Sequence, residues 1–193
     1  MLISNILSKL RLSFFLIYSK LLYGSQIRII KGFPRILNKG KIIFGNNFTA
    51  GLDFRLETID RNAIVVFGRN TKINDHCHIG STKSIYIGAN VLIGSRVTIV
   101  DHEHGNYSDQ KPSLPEPPPD KRTLSGAPIY INDNVWIAEG AIILGGVSIG
   151  YGSIVGANAV VTKDIPSRCI AAGVPARVIM EFNKEKNIWE KIL

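Results

Sequence analysis

Branched aliphatic residues recur at a step of six along most of this chain. From Ile131 the series runs Ile137, Ile143, Ile149, Val155 and Val161, and four residues after each of the first five stands a small or β-branched side chain: Val135, Ala141, Val147, Ser153 and Ala159. A helix returns to one face every ~3.6 residues and a strand every ~2, so neither carries this period. The same rule orders Ile87, Ile93 and Ile99 with Val91 and Val97, and Phe67, Ile73 and Ile79 with Thr71 and Cys77. Between Ile79 and Ile87 the step is eight, so one corner holds two extra residues. Each unit predicts a short strand plus a corner, with two inward positions, and three units close one turn of a prism. Successive turns then hydrogen-bond at the ~4.8 Å spacing of neighbouring strands, and the core is one column of aliphatic side chains. Glycine follows the aliphatic at Gly68, Gly88 and Gly94, which suits a corner that needs unusual φ. The pattern predicts an all-β chain, a left-handed parallel β-helix of hexapeptide repeats. Fainter units at Phe44 and Ala50 place its beginning by about residue 42.

Three segments depart from the repeat. Residues 101–130 form a long loop excursion that opens with His102 and His104 and holds five prolines between Pro112 and Pro119. Proline at that density excludes an ordinary helix and favours an extended, pre-stiffened loop. A loop of this length inside a compact domain points to function. Residues 1–23 read as an amphipathic helical segment, with Leu2, Ile3, Ile6, Leu7 and Leu10 on one face. Its longest uncharged stretch, residues 12–19, falls far short of the ~20 residues a bilayer span needs, and no small-residue cleavage site precedes Gly24. Residues 181–193, EFNKEKNIWEKIL, read as a C-terminal helix. The expected organisation is therefore 1–23, a β-helix domain over 24–180, and 181–193.

A chain of 193 residues, 45% hydrophobic and 20% charged, fits one folded domain. Its two cysteines, Cys77 and Cys169, exclude a disulfide scaffold and suit a cytoplasmic life. The net charge of +8 arises entirely in residues 1–52, which carry eight basic side chains and no acid. These cations alternate with apolar residues and no nucleic-acid motif accompanies them, so a nucleic-acid partner is not expected. Two readings of the first segment stay open: packing of its apolar side on the body or on a sister subunit, or an interfacial helix held to anionic lipid by Lys9, Arg11 and Lys20.

The hexads, the DHEHG loop, the segment NDNVWI and the closing VTKDIP…AAGVPARVI together resemble the hexapeptide-repeat O-acetyltransferases of galactoside, maltose and polysaccharide type. The order INDHCHIG, VTIVDHEHGNYSD, PPPDKRTL, APIYI is most similar to the O-antigen acetyltransferases of Gram-negative bacteria. The resemblance covers about residues 24–180. It implies transfer of an acetyl group from acetyl-coenzyme A (acetyl-CoA) to a sugar hydroxyl, in a homotrimer with its sites in clefts between neighbouring β-helices and with no metal. It places the catalytic histidine on His102, coenzyme contacts on Trp136, Ala157, Thr162, Lys163 and Arg177, and the acceptor side on Asn74. For His104 three readings stand: it assists His102, lines the acceptor side, or is a solvated loop residue. Glu139 and Met180 depart from the coenzyme pattern of the relatives.

A sugar hydroxyl is a poor nucleophile at neutral pH, whereas a neutral imidazole can take its proton as the oxygen attacks a thioester. A basic, apolar N-terminal segment suits a lipid-linked oligosaccharide at the cytoplasmic face of the inner membrane. The acceptor expected is therefore an O-antigen-like polysaccharide unit or its lipid-linked precursor, with a small soluble sugar or serine as alternatives. From other classes, a zinc-dependent β-helix lyase and a non-catalytic scaffold remain. Against zinc, Cys77 occupies an inward position while His76 and His78 flank it and point outward.

Overall fold

In the computed structural model, which describes residues 2–107 and 111–192, the chain winds into a three-sided parallel β-solenoid of about seven turns. Met1, residues 108–110 of the loop and Leu193 lie outside the described residues, as do the side chains of residues 2–5, so Leu2 and Ile3 are placed by backbone alone. One turn shows the construction. Ile64–Phe67 lies on the third sheet, Lys72–Ile73 on the first and His78–Ser81 on the second, after which Ser84–Ile87 returns to the third, paired on Ile64–Phe67. In-register pairing stacks identical hexad positions: Ile73, Ile93, Ile137 and Val155 on the first sheet, Ile79, Ile99, Ile143 and Val161 on the second. All eight are at most 2% exposed, so the hexad aliphatics are the core.

The glycines after those aliphatics have a different cause from the one the repeat suggests. None of Gly45, Gly68, Gly88 and Gly94 has positive φ; the left-handed corners are taken by Asn47, Asn70, Asn90 and Asn134, at φ 57–63°. Asparagine tolerates that region, and its amide adds a ladder: Asn47 to Asn70 at 2.9 Å, Asn70 to Asn90 at 2.9 Å, Asn90 to Asn134 at 3.1 Å, ending on the Tyr151 hydroxyl at 2.9 Å. The glycines are required because adjacent coils touch there. A Cβ at Gly68 would stand inside the backbone of Gly88 and Ala89. Gly68→Ala is therefore expected to cost about 1–3 kcal/mol by forcing two coils apart, read as a lower urea midpoint at unchanged slope.

The coil begins at Ile27–Ile30, inside the expected 24–180 domain and ahead of the faint units at Phe44 and Ala50, and buried Phe48, Phe54 and Phe67 fill its first turns. Helix α1 (Leu2–Tyr23) caps this end. It is held by Phe15, 6% exposed, and by fully buried Ser19, whose hydroxyl accepts from Ile30 N at 2.8 Å. That apolar face does not pack on the body of this chain: Ile6, Leu7 and Leu10 are 51–61% exposed, and Phe14, Ile17 and Leu21, which continue the same stripe at helical spacing, are open as well. No helix among the described residues is long and apolar enough to cross a membrane.

The expected C-terminal helix is absent. Arg177–Asn183 and Ile188–Lys191 form an antiparallel hairpin that extends the first sheet from Cys169–Ala172. Turn chemistry overrode the apparent helical pattern. The Asn183 side chain accepts from the backbone N–H groups of Glu185 and Lys186, both at 3.0 Å, and Asn187 takes φ 55°. Across the strands Phe182 meets Trp189 edge to face at 5.3 Å.

Candidate active site

Between the second and third sheets the coil after Val100 does not turn directly; it leaves the prism as the excursion. His102–His104 pairs antiparallel with Leu124–Gly126, so the loop departs and returns as a ribbon, His102 opposite Gly126. Inside that ribbon the prolines supply carbonyls without matching N–H groups, and Arg122 answers them. Its guanidinium donates to Pro117 O at 3.0 Å, Pro115 O at 2.9 Å and the Tyr107 hydroxyl at 2.6 Å, and that hydroxyl donates to His104 O at 2.6 Å. One planar fork of donors thus fixes the loop.

Asp101 stands at the root of the loop, fully buried. Oδ1 accepts from Thr82 N at 2.7 Å and the Thr82 hydroxyl at 3.2 Å, and Oδ2 accepts from the Ser81 hydroxyl at 2.6 Å and Lys83 N at 2.9 Å. His102 Nδ1 lies 3.1 Å from Oδ1. The eight-residue step between Ile79 and Ile87 is what builds this cradle, because its extra residues turn the N–H groups of Thr82 and Lys83 toward the carboxylate. Burial by itself would raise the Asp101 carboxyl, but the hydrogen bonds from His102, Ser81 and the two backbone N–H groups outweigh it and hold the group below its ordinary value. An ionised carboxylate can only accept, so the His102 proton sits on Nδ1 and Nε2 keeps its lone pair. The His102 side chain is 12% exposed and borders a cleft of about 390 Å³ lined with Asp101, Glu103, Asn106, Ser125 and Gly145. A half-sheltered imidazole with a fixed acceptor nitrogen at a cleft is equipped to remove a proton from a bound hydroxyl.

The other sequence-predicted residues fall on different parts of the prism. Thr162 and Lys163 follow Val160–Val161 on the same edge as His102, farther along the coil, and both are exposed. Asn74 and Ala157 are exposed on the opposite edge of the second sheet, where the first sheet turns into it. Trp136 projects from the first sheet, 47% exposed, in register between Leu92 and Ile154. Arg177 opens the terminal hairpin and donates to Ala176 O at 2.9 Å. His104 is exposed and its Nδ1 lies 3.2 Å from Pro119 O, so it braces the loop. One chain therefore does not bring Asn74 to His102.

The remaining histidines do not converge. His76 pairs with Asp53 at 3.2 Å and His78 with Glu57 at 3.1 Å. Among the described residues no three histidine, cysteine, aspartate or glutamate side chains come together as metal ligands. Burial pushes the Cys77 thiol up to about 11, so it stays protonated as a core residue. Asp101 and Arg122 were not singled out from the sequence. The signal for the first was the irregular step; for the second, a lone arginine after a run of prolines.

Residues 128–163 match the family model for bacterial transferase hexapeptide (six repeats). The chain is 44% identical over 165 residues to a protein of Escherichia coli (strain K12) named putative lipopolysaccharide biosynthesis O-acetyl transferase WbbJ, covering 85% of this chain and 84% of that one. It is 38% identical to the galactoside O-acetyltransferase of the same strain over 64% of this chain and 58% of the relative. Among solved structures, a variant of the N-acyltransferase AntD from Bacillus cereus superposes with a TM-score of 0.67 at 24% identity, over 83% and 82% of the two chains, which is a likeness of fold. The coiled prism, its hexads and these relatives agree, and the chain belongs to the hexapeptide-repeat acetyltransferases, as an acyltransferase.

Proposed function

We propose that this protein moves an acetyl group from acetyl-CoA to a hydroxyl of a bacterial surface polysaccharide unit, O-antigen-like, or its lipid-linked precursor, with His102 as general base. The observation that carries the reading is the buried Asp101 holding His102 Nδ1 at 3.1 Å beside a cleft. The hydroxyl proton passes to Nε2 as the sugar oxygen bonds to the acetyl carbon. The C–S bond breaks, and the departing thiolate takes the proton back, so neither an acyl-enzyme nor a metal is required. Trp136, Ala157, Thr162, Lys163 and Arg177 are assigned to the coenzyme, and Asn74 with His104 to the acceptor. Asn74 and His102 occupy opposite edges of one sheet, which supports a homotrimer whose neighbouring prisms each supply one edge to a shared cleft. Acceptor-dependent thiol release from acetyl-CoA, with methyl glycosides and carrier-linked oligosaccharides offered to the purified protein, tests the reading. No release with any of them overturns it.

The partner of α1 belongs to the same proposal: an anionic lipid surface, at the cytoplasmic face of the inner membrane. The helix has no acidic residue, and Lys9, Arg11 and Lys20 are exposed among open Leu7, Leu10, Phe14 and Ile17. A groove of about 450 Å³ beside it is walled by Leu7, Leu12, Phe15, Ile29 and Leu52 and rimmed by Arg11 and Lys31. Because α1 covers the first coil, charge reversal is a cleaner test than deletion. The triple variant Lys9→Glu, Arg11→Glu, Lys20→Glu should bind vesicles of mixed zwitterionic and anionic phospholipid at least about 100-fold more weakly, at ~1 kcal/mol per cation. Equal binding by both proteins, or none by the wild type at low salt, removes the membrane partner.

A further inference from the structure

One polar cluster on the outer face of the second sheet is left without a role. Arg55, Glu57 and His78 stand beside one another because Arg55 pairs with His78 and Glu57 with Gly80 in the parallel register of Arg55–Thr58 on His78–Ser81. Arg55 Nη2 donates to Glu57 Oε1 at 3.0 Å and lies 2.9 Å from Oε2 as an ion pair, and His78 Nε2 lies 3.1 Å from Oε2. Burial alone would raise the Glu57 carboxyl, but the hydrogen bonds from Arg55 and His78 outweigh it and keep the group below its ordinary value. As an ionised acceptor it assigns the proton to His78 Nε2, which leaves Nδ1 with a lone pair and, among the described residues, no partner.

The cluster reaches the candidate site across Gly80. That residue occupies an outward position of the sheet with no side chain, and the two imidazoles close over it. A Cβ there would find His78 Nε2 at 3.3 Å, His102 Cε1 at 3.5 Å and Val100 Cγ1 at 3.6 Å. Gly45, Gly68 and Gly94 face the backbone of the next coil, whereas Gly80 faces two histidines. His78 is 30% and Glu57 16% exposed, so both are sheltered yet reachable.

We infer that His78, oriented by Glu57 and Arg55, is a specificity-determining residue that accepts a hydrogen bond from a second hydroxyl of the same acceptor ring whose reacting hydroxyl faces His102. Resting on the sugar-transfer reading, the inference deepens it: the acceptor is a polyol presenting two neighbouring hydroxyls, and a lone alcohol such as a serine side chain lacks the second contact. Two imidazoles with oppositely assigned protons, each locked by a carboxylate, read a pair of hydroxyls at fixed separation. Burying a hydroxyl with its partner removed costs about 1–3 kcal/mol.

The test uses the full chain with methyl hexopyranosides and their monodeoxy derivatives, by thiol release and by saturation-transfer NMR. His78→Ala is expected to raise acceptor KM about 10- to 100-fold, with a smaller change in kcat and the acetyl-CoA KM unmoved. The wild type should discriminate against one monodeoxy sugar, and the variant should lose that discrimination alone. His78→Asn, whose amide places an oxygen near the Nδ1 position, should recover part of it. Unchanged KM and unchanged monodeoxy preference in His78→Ala, with transfer intact in the wild type, overturn the inference and leave the transferase reading standing. Neither transfer to nor saturation of any of these sugars by the wild type overturns both.

Discussion

Replacing His102 with alanine is expected to lower acceptor-dependent acetyl transfer by about 10²- to 10⁴-fold, the range a positioned general base supplies, or roughly 3–5 kcal/mol of barrier. The imidazole borders the cleft and contributes nothing to the aliphatic column, so the fold and the coenzyme site should survive. Thiol release with a saturating acceptor measures the first effect, and the acetyl-CoA KM with a thermal melt measures the others. Turnover comparable to wild type would remove His102 from the chemistry. Loss of turnover together with a collapsed melt would mean that the residue is structural.

Asp101→Asn should damage stability and turnover together. Five donors converge on the Asp101 carboxylate, from Ser81, Thr82 (twice), Lys83 and His102. An amide can accept at one end only, so its NH₂ must face either the Lys83 and Ser81 donors or the His102 and Thr82 donors. The first arrangement leaves a buried N–H unsatisfied, at about 1–3 kcal/mol; the second drives the His102 proton to Nε2 and abolishes the base. We expect transfer to fall at least about 10²-fold, with no further loss when His102→Ala is added, because Asp101 acts through His102. The stability difference has a pH signature. A carboxylate depressed in the folded state stabilises above its unfolded value of ~3.9 and loses that contribution as pH falls through its lower folded value. The gap between wild type and Asp101→Asn in urea unfolding should therefore be full at neutral pH and narrow only below about pH 4. A pH-independent gap, or additive losses in the double variant, would separate Asp101 from His102.

The core was legible because a period-six pattern admits few folds. Any chain that places Ile137, Ile143 and Ile149 at successive inward positions must turn after each of them, and in-register stacking follows from the identity of the units. The reason for the glycines was not legible. Unusual φ and close approach of coils both favour glycine, and only the coordinates of Gly68 against Gly88 decide between them. The tail illustrates a different limit: EFNKEKNIWEKIL carries helix-forming residues, yet two asparagines that nucleate a turn, Asn183 and Asn187, outweighed them once the edge strand Cys169–Ala172 was there to receive a hairpin.

Sequence alone determined the repeat, the excursion and the histidine that opens it, because each depends on residue type at fixed spacing. Which protons that histidine carries, which residues share its edge and which lie across the sheet were decided by tertiary structure. Asp101 meets Ser81, Thr82 and Lys83 only because one coil stacks on the next, about twenty residues away in the chain. Glu57, His78 and Gly80 come together for the same reason. A linear pattern records what faces inward; contacts between successive turns of a solenoid are set by the stacking.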